Sequence, residues 1–199
     1  MTTGRWRDRL GMARAPGSAD PAGPGGPGGQ PGPAGGSGTR LRRMVPADLV
    51  DVLALEHDLF PDDPWTAQMF AEEVSQPPQS RLYLIAEADG PPPAAGGRVM
   101  AGYAGLMFVP GGTQADVLTI AVAQEYWGRG IGSALLGALI AAAAERGCAE
   151  VFLEVREDNP RARGLYLRRG FEEIGVRRGY YQPSGVNAIV MRKDLQRSS

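Results

Sequence analysis

From residue 39 onward the apolar positions recur with recognisable periods, and each period predicts an element. Residues 39–44 read as a short strand. Pro46 and Asp48 open a helical stretch through Leu59, in which Leu49, Val52, Leu53 and Leu55 are spaced for one buried face. Residues 60–66 read as a turn, with Thr66 capping a second helix over 67–74. Strands are predicted over 82–88 and 99–109, separated by a proline-bearing loop over 89–98 and followed by a turn at 110–113. Residues 117–122 are nearly all apolar, as in a central strand covered on both faces. A glycine-rich stretch at 128–132 leads into an Ala- and Leu-rich helix over 131–146 that ends at Gly147. Residues 150–155 read as another strand. Asn159 and Pro160 form a cap and a first-turn proline, opening a helix to Arg169 that Gly170 ends. The last strands are 171–177 and 188–191. This order predicts a mixed sheet with helices on both faces, an α/β or α+β layer fold.

The head of the chain breaks the pattern. Of the 24 residues from 15 to 38, 16 are Gly or Pro, with no aromatic among them. Residues 1–38 are expected to be disordered, because they hold too little apolar surface to offset the entropy of ordering them. That leaves 39–199 as one domain, long enough for one good core. Formal net charge is −1, which gives no sign of a nucleic-acid partner. The single cysteine, Cys148, excludes a disulfide framework and a cysteine metal cluster; the single histidine, His57, excludes a multi-histidine metal site. No apolar run is long enough for a membrane helix, and the basic head has no apolar region behind it as a secretory signal would. A cytoplasmic protein with no membrane partner is therefore expected.

The sharpest chemical signal is the strand at 117–122, followed by Gly128-Arg129-Gly130-Ile131-Gly132-Ser133 and a helix. Such a turn aims free backbone N–H groups outward at a helix N-terminus, where the dipole adds partial positive charge: an anion site. The spacing matches neither an ATPase loop, since no Lys-Ser/Thr follows, nor a dinucleotide fingerprint. On these features alone, a plain strand–helix turn remains open.

The string Trp127-Gly128-Arg129-Gly130-Ile131-Gly132 resembles the acyl-CoA pyrophosphate loop of the GCN5-related N-acetyltransferases, with Trp127 where Gln or Arg is usual. A narrower resemblance, to the bacterial ribosomal-protein alanine N-acetyltransferases, is carried by several further pieces. These are Phe60-Pro61, Pro64-Trp65-Thr66, Thr119-Ile120-Ala121-Val122, Leu153-Glu154-Val155-Arg156, Asn159, Leu165-Tyr166, Gly170-Phe171 and Arg177-Arg178-Gly179-Tyr180-Tyr181. The resemblance covers about 39–195. It implies a mixed, mostly antiparallel sheet with helices on both faces, acetyl-CoA as co-substrate, no metal, and the N-terminal peptide of a ribosomal protein as acceptor. It also implies residue roles. Glu154 matches the general base, and Tyr166, twelve residues later, matches the general acid. Ile120, Ala121 and Val122 match the pantetheine contacts, Gly128, Arg129, Gly130, Ile131, Gly132 and Ser133 the pyrophosphate loop, and Asn159 a further cofactor contact. Asn187 stands where that family often has an acidic residue.

Elementary chemistry fits these roles without proving them. Amide formation from a thioester needs a base for the amine, donors for the oxyanion and a proton for the leaving thiolate. Glu154, late in a strand expected beside 117–122, is suited to the first, and the phenol of Tyr166 to the last. Amides near Ala121 and Val122 are expected to hold the carbonyl oxygen. At pH 7 a peptide α-amine costs about 1.4 kcal/mol to neutralise and a lysine about 4.6, so one modest base favours an α-amine. Read without the resemblance, Glu154 is a solvated strand-end glutamate, Tyr166 a buried helix aromatic and Asn159 a helix cap. Trp65, Tyr180 and Tyr181 read as walls of a peptide channel or as packing. Arg161, Arg163, Arg168 and Arg169 read as a solvated face or as partners of a CoA phosphate. His57 and Cys148 carry no chemistry in this reading. A small-molecule amine acceptor, and a CoA-binding module without activity, remain the alternatives.

Overall fold

The computed structural model describes residues 38–60, 65–89 and 97–196. The Gly/Pro-rich head and the middles of the turn at 60–66 and the loop at 89–98 lie outside the described residues. The elements run β1 (Arg40–Arg43), α1 (Leu49–Leu59), α2 (Ala67–Val74), β2 (Arg81–Asp89), β3 (Arg98–Phe108), β4 (Gln114–Val122), α3 (Ile131–Glu145), β5 (Glu150–Arg156), α4 (Pro160–Arg168), β6 (Glu172–Tyr181) and β7 (Val186–Asp194). Short 3₁₀ turns at Pro46–Asp48 and Gln124–Tyr126 precede α1 and follow β4.

Local chemistry sets these boundaries. Thr66 caps α2, its hydroxyl accepting from the Met69 amide at 3.2 Å. Asn159 caps α4 in the same way through Ala162 N at 2.9 Å, with Pro160 in the first turn. Gly147, at φ 73°, closes α3 with its amide on the Ala144 carbonyl. Three strands are longer than their apolar runs predict. β4 begins at Gln114, and β6 and β7 extend to Tyr181 and Asp194, because cross-strand pairing carries polar residues the periodicity leaves out.

The seven strands form one sheet in the order β1-β2-β3-β4-β5-β7-β6. All neighbours are antiparallel except β4 and β5. That parallel ladder holds only Gln114↔Glu150, Ala115↔Val151 and Asp116↔Phe152. Beyond it the two strands part, so the sheet is two antiparallel halves hinged at one short seam. This corrects the expectation that Glu154 lies directly beside 117–122: it sits past the point where the ladder stops.

One hydrophobic core runs through both halves, from Val52, Phe70 and Tyr103 to Val151, Leu153, Tyr166 and Met191. Tyr103 is fully buried under α1 and α2, edge-on to Phe70 at 5.8 Å, and its hydroxyl donates to Glu56. The second oxygen of Glu56 accepts the Trp65 amide at 3.0 Å. Trp65 is itself buried and packs on Phe70 at 4.9 Å, so it belongs to the core and not to a channel wall. α3 lays Ile131, Leu135, Leu136, Leu139 and Ala143 into the sheet. Its mostly apolar composition lets the helix sit flush across β2, β3 and β4.

Candidate active site at the split in the sheet

Where β4 leaves β5, it presents an unpaired edge. The Ala123 amide bonds to Ala101 O on β3 at 2.9 Å, which sets the alternation. Thr119, Ala121 and Ala123 turn their backbone groups toward β3. Ile120 and Val122 turn theirs toward the split. Of the three residues expected to offer backbone contacts, Ile120 and Val122 are thus aimed to do so, while Ala121 is engaged with β3.

The Val122 carbonyl is already used. The indole Nε1–H of Trp127 donates to it at 2.7 Å. Arg161, in the first turn of α4, lies over the same indole at 4.3 Å. Trp127 therefore ties the loop to the end of β4 and to α4 on the other side of the split.

The loop itself is shaped by two glycines. Gly128 and Gly130 have φ of 77° and 80°, the left-handed region that side chains disfavour, and a Cβ on either would meet nothing within 4 Å. Conformation alone requires them. No side chain caps α3, so the amides at its start, around Ile131, Gly132 and Ser133, face outward. Gly132 sits at the meeting point: a Cβ there would lie 3.6 Å from Leu165 and 3.8 Å from Val122. Ser133 is held from outside, its hydroxyl accepting from Arg169 Nε at 2.9 Å. The basic residues of the last helix do not act as one cluster. Arg161 covers Trp127, Arg163 pairs with Glu173 and Arg169 grips Ser133.

The second half of the sheet supplies the ionisable groups. Val151, Leu153 and Val155 point to one face of β5, and Phe152, Glu154 and Arg156 to the other. Glu154 is only 5% exposed, so it is no solvated strand-end residue. Arg177 of β6 approaches it, with Nη2 3.5 Å from Oε1. Tyr166 on α4 is 4% exposed and packs edge-on to Phe171 at 5.9 Å. Burial pushes its phenol well above the ordinary range, so it stays protonated at neutral pH. Tyr181, also buried, is raised by desolvation first and then by the charges of Tyr180, Glu154 and Tyr166. Arg156 lies over the Tyr181 ring at 5.1 Å.

Asn159 is buried and serves as the α4 cap. Asn187 bridges the β6–β7 hairpin to the β5–α4 connection, accepting from Gly179 N at 2.9 Å and donating to Glu157 at 2.7 Å. It is a strut of the wall and offers no acidic contact. His57 is exposed on α1, and Cys148 is buried with its thiol raised by desolvation. Among the described residues no group of three or more His, Cys, Asp or Glu side chains could hold a metal ion, and no helix is long and apolar enough to cross a membrane.

Sequence reasoning missed Arg177 as a partner of Glu154. Strand order explains this: β7 lies between β5 and β6, so Arg177 and Arg156 both align with Ala188 across strands that are not consecutive.

Residues 49–171 match the sequence model of the Acetyltransferase (GNAT) family. The chain is 40% identical over 152 residues to the N-alpha-acetyltransferase RimI of Mycobacterium tuberculosis, a match covering 74% of this chain and 87% of that protein. The chain belongs to the acetyltransferase (GNAT) family. An uncharacterized protein of Mycobacterium leprae is 38% identical over 157 residues, 77% of this chain, but the match spans only 40% of that longer relative. Among solved structures, the ribosomal-protein-S18-alanine N-acetyltransferase of Escherichia coli superposes with a TM-score of 0.68 at 29% identity, covering 81% of this chain and 96% of that one. The mostly antiparallel seven-stranded sheet is thus a GNAT acetyltransferase sheet. Within this GNAT chain, the indole N–H of Trp127 is used on the Val122 carbonyl.

Proposed function

We propose that this GNAT chain transfers the acetyl group of acetyl-CoA to the N-terminal α-amine of a ribosomal protein that begins with alanine, as the name of the Escherichia coli neighbour states for ribosomal protein S18. The observation that carries the reading is a buried carboxylate, Glu154, on β5 just past the point where its ladder with β4 stops, together with a buried phenol, Tyr166, that stays neutral on the next helix. The name of the Escherichia coli neighbour favours the alanine peptide over small amines.

The residues fit the parts of the cofactor. The backbone amides of Gly128, Arg129, Gly130, Ile131, Gly132 and Ser133 would receive the pyrophosphate at the uncapped start of α3. Ile120 and Val122 would pair with the pantetheine arm as a missing strand would, and Asn159 would stand at its α4 side. Bound acetyl-CoA supplies an activated acyl carbon and a thiolate leaving group. Glu154 takes the proton that the attacking amine must lose, so that its lone pair forms the new C–N bond. An amide on the split edge, with Ile120 and Val122 the available donors, holds the developing oxyanion; one such donor is worth about 3 kcal/mol to the transition state. As the C–S bond breaks, Tyr166 delivers its proton to sulfur and is recharged from solvent. Atoms balance as amide plus free CoA thiol.

E154Q tests the base. Its acetyl-CoA affinity is expected to stay unchanged while turnover on an Ala-starting peptide falls by about 10²–10⁴, measured by thiol release. Unchanged turnover removes Glu154 from the mechanism. Competing that peptide against small amines in the same assay tests the acceptor class, and preferential use of the small amine would refute the peptide reading.

A further inference from the structure

The cation beside Glu154 belongs to the enzyme. Arg177 is one-third exposed along its side chain, whereas Glu154 is 6% exposed along its own, so the arginine reaches inward from the sheet edge to a carboxylate that solvent barely touches. A buried carboxylate needs a counter-ion to remain ionised. An amine arriving as ammonium brings the same charge to the same oxygen. Arg177 also has somewhere to rest: its guanidinium lies 5.4 Å from the centre of the Tyr180 ring.

Resting on Glu154 as the base, we infer that Arg177 is a positioning residue that occupies the place of the substrate ammonium in the free enzyme and yields Glu154 to the substrate on binding. The other charged and titratable groups around the carboxylate are Arg156 on its own strand, Tyr181 on β6, Tyr166 on α4 and Asp116 on β4, opposite Phe152. β7 presents Ala188, Val190 and Arg192 on that face, and Arg192 pairs with Glu150 at 3.2 Å. Arg156 pairs with Asp158 at 2.8 Å and lies over the Tyr181 ring, while Arg177 reaches Glu154 at 3.5 Å.

The two pH profiles of the full chain separate the possibilities. The acid limb of kcat/KM reports the free enzyme, and that of kcat reports the substrate complex. In R177Q the acid limb of kcat/KM is expected to rise by about one pH unit or more, since a carboxylate loses its neighbouring positive charge. R177K, which keeps a cation, is expected to restore it. The acid limb of kcat is expected to be the same in wild type and R177Q, because substrate ammonium has replaced the guanidinium. A shift in both profiles means that Arg177 stays in place during turnover and overturns the exchange. A shift in neither overturns the counter-ion role. R177M, which keeps a long unbranched stem without the charge, gives the same readings should R177Q fold poorly, and unchanged acetyl-CoA affinity checks the fold. Failure of the underlying reading looks different: E154Q would then turn over like wild type. In that case, NMR titration of the Glu154 carboxyl in R177Q against wild type decides whether Arg177 is its counter-ion.

Discussion

Trp127 and Val122 are joined by one hydrogen bond, indole Nε1–H to carbonyl oxygen at 2.7 Å, and this bond closes the far end of the open edge of β4. The edge has two residues facing the split, Ile120 and Val122. With the Val122 carbonyl occupied, the Val122 amide and both polar groups of Ile120 are left to pair with a ligand. The bond also fixes the loop that carries Gly128 and Gly130, because Trp127 directly precedes it.

W127F is expected to weaken acetyl-CoA binding about fivefold, the value of one ordinary hydrogen bond of about 1 kcal/mol, while keeping a ring beneath Arg161. W127A loses the ring as well and is expected to weaken binding further. W127Q, which keeps an N–H donor but loses the ring, is expected to fall between wild type and W127A. Calorimetric titration with CoA measures all three. Equal affinity in wild type and W127A would show that the indole does not organise the edge.

Gly130 and Gly132 stand two residues apart and predict opposite outcomes. Gly130 has φ of 80° in open space, so G130A gains no clash but forces a left-handed alanine, a cost of about 1–2 kcal/mol. Gly132 is helical with only ordinary contacts around a new Cβ, so G132A is expected to leave stability unchanged or raise it by up to about 1 kcal/mol. Thermal melts of the two variants give the comparison, and equal destabilisation would contradict it.

Asp48 predicts a pH dependence of stability. Its carboxylate takes both arms of Arg42 at 2.7 Å and the Val45 amide at 2.8 Å, and the Arg42 hydrogen bonds hold it below the usual carboxylate range. A group lowered on folding stabilises the protein above its unfolded value, near 3.9, and that stabilisation fades as pH falls through the folded value. D48N is expected to be less stable than wild type by about 1 kcal/mol at pH 7. The difference is expected to shrink steadily below about pH 4, as urea titrations at several pH values would show.

How far these features could be read from the chain depends on how local their causes are. α3, its Gly147 stop and the Asn159-Pro160 start of α4 follow from neighbours in sequence, and they stand within a residue or two of their predicted places. The glycine loop was legible for the same reason, since left-handed turns demand glycine wherever they occur. The split was not: apolar content marks 117–122 as a central strand but cannot tell that its pairing with β5 stops at Asp116. The buried polar groups were also hidden. Glu56 carries no signal in the helical pattern, and Tyr103 and the Trp65 amide, brought in by tertiary folding, help explain a carboxylate that is 1% exposed. Arg177 belongs to the same class, a charge whose partner comes from a strand two positions away in the sheet.

Tyr166 gives the last expectation. Its phenol is buried and remains neutral far above neutral pH, so it can donate throughout the working range. Y166F removes the proton and keeps the ring against Phe171, so the fold should be retained. Turnover is expected to fall by about 10²-fold at pH 7, with acetyl-CoA affinity unchanged. The defect should be largest where the departing sulfur needs a proton most. A free thiol has a pKa of about 8.5, so above about pH 9 the thiolate is a stable product and proton donation gains little. The ratio of wild-type to Y166F turnover is therefore expected to narrow between about pH 7 and 9.5, followed by thiol release corrected for acetyl-CoA hydrolysis. A ratio that stays constant across that interval would mean that Tyr166 shapes the pocket and moves no proton.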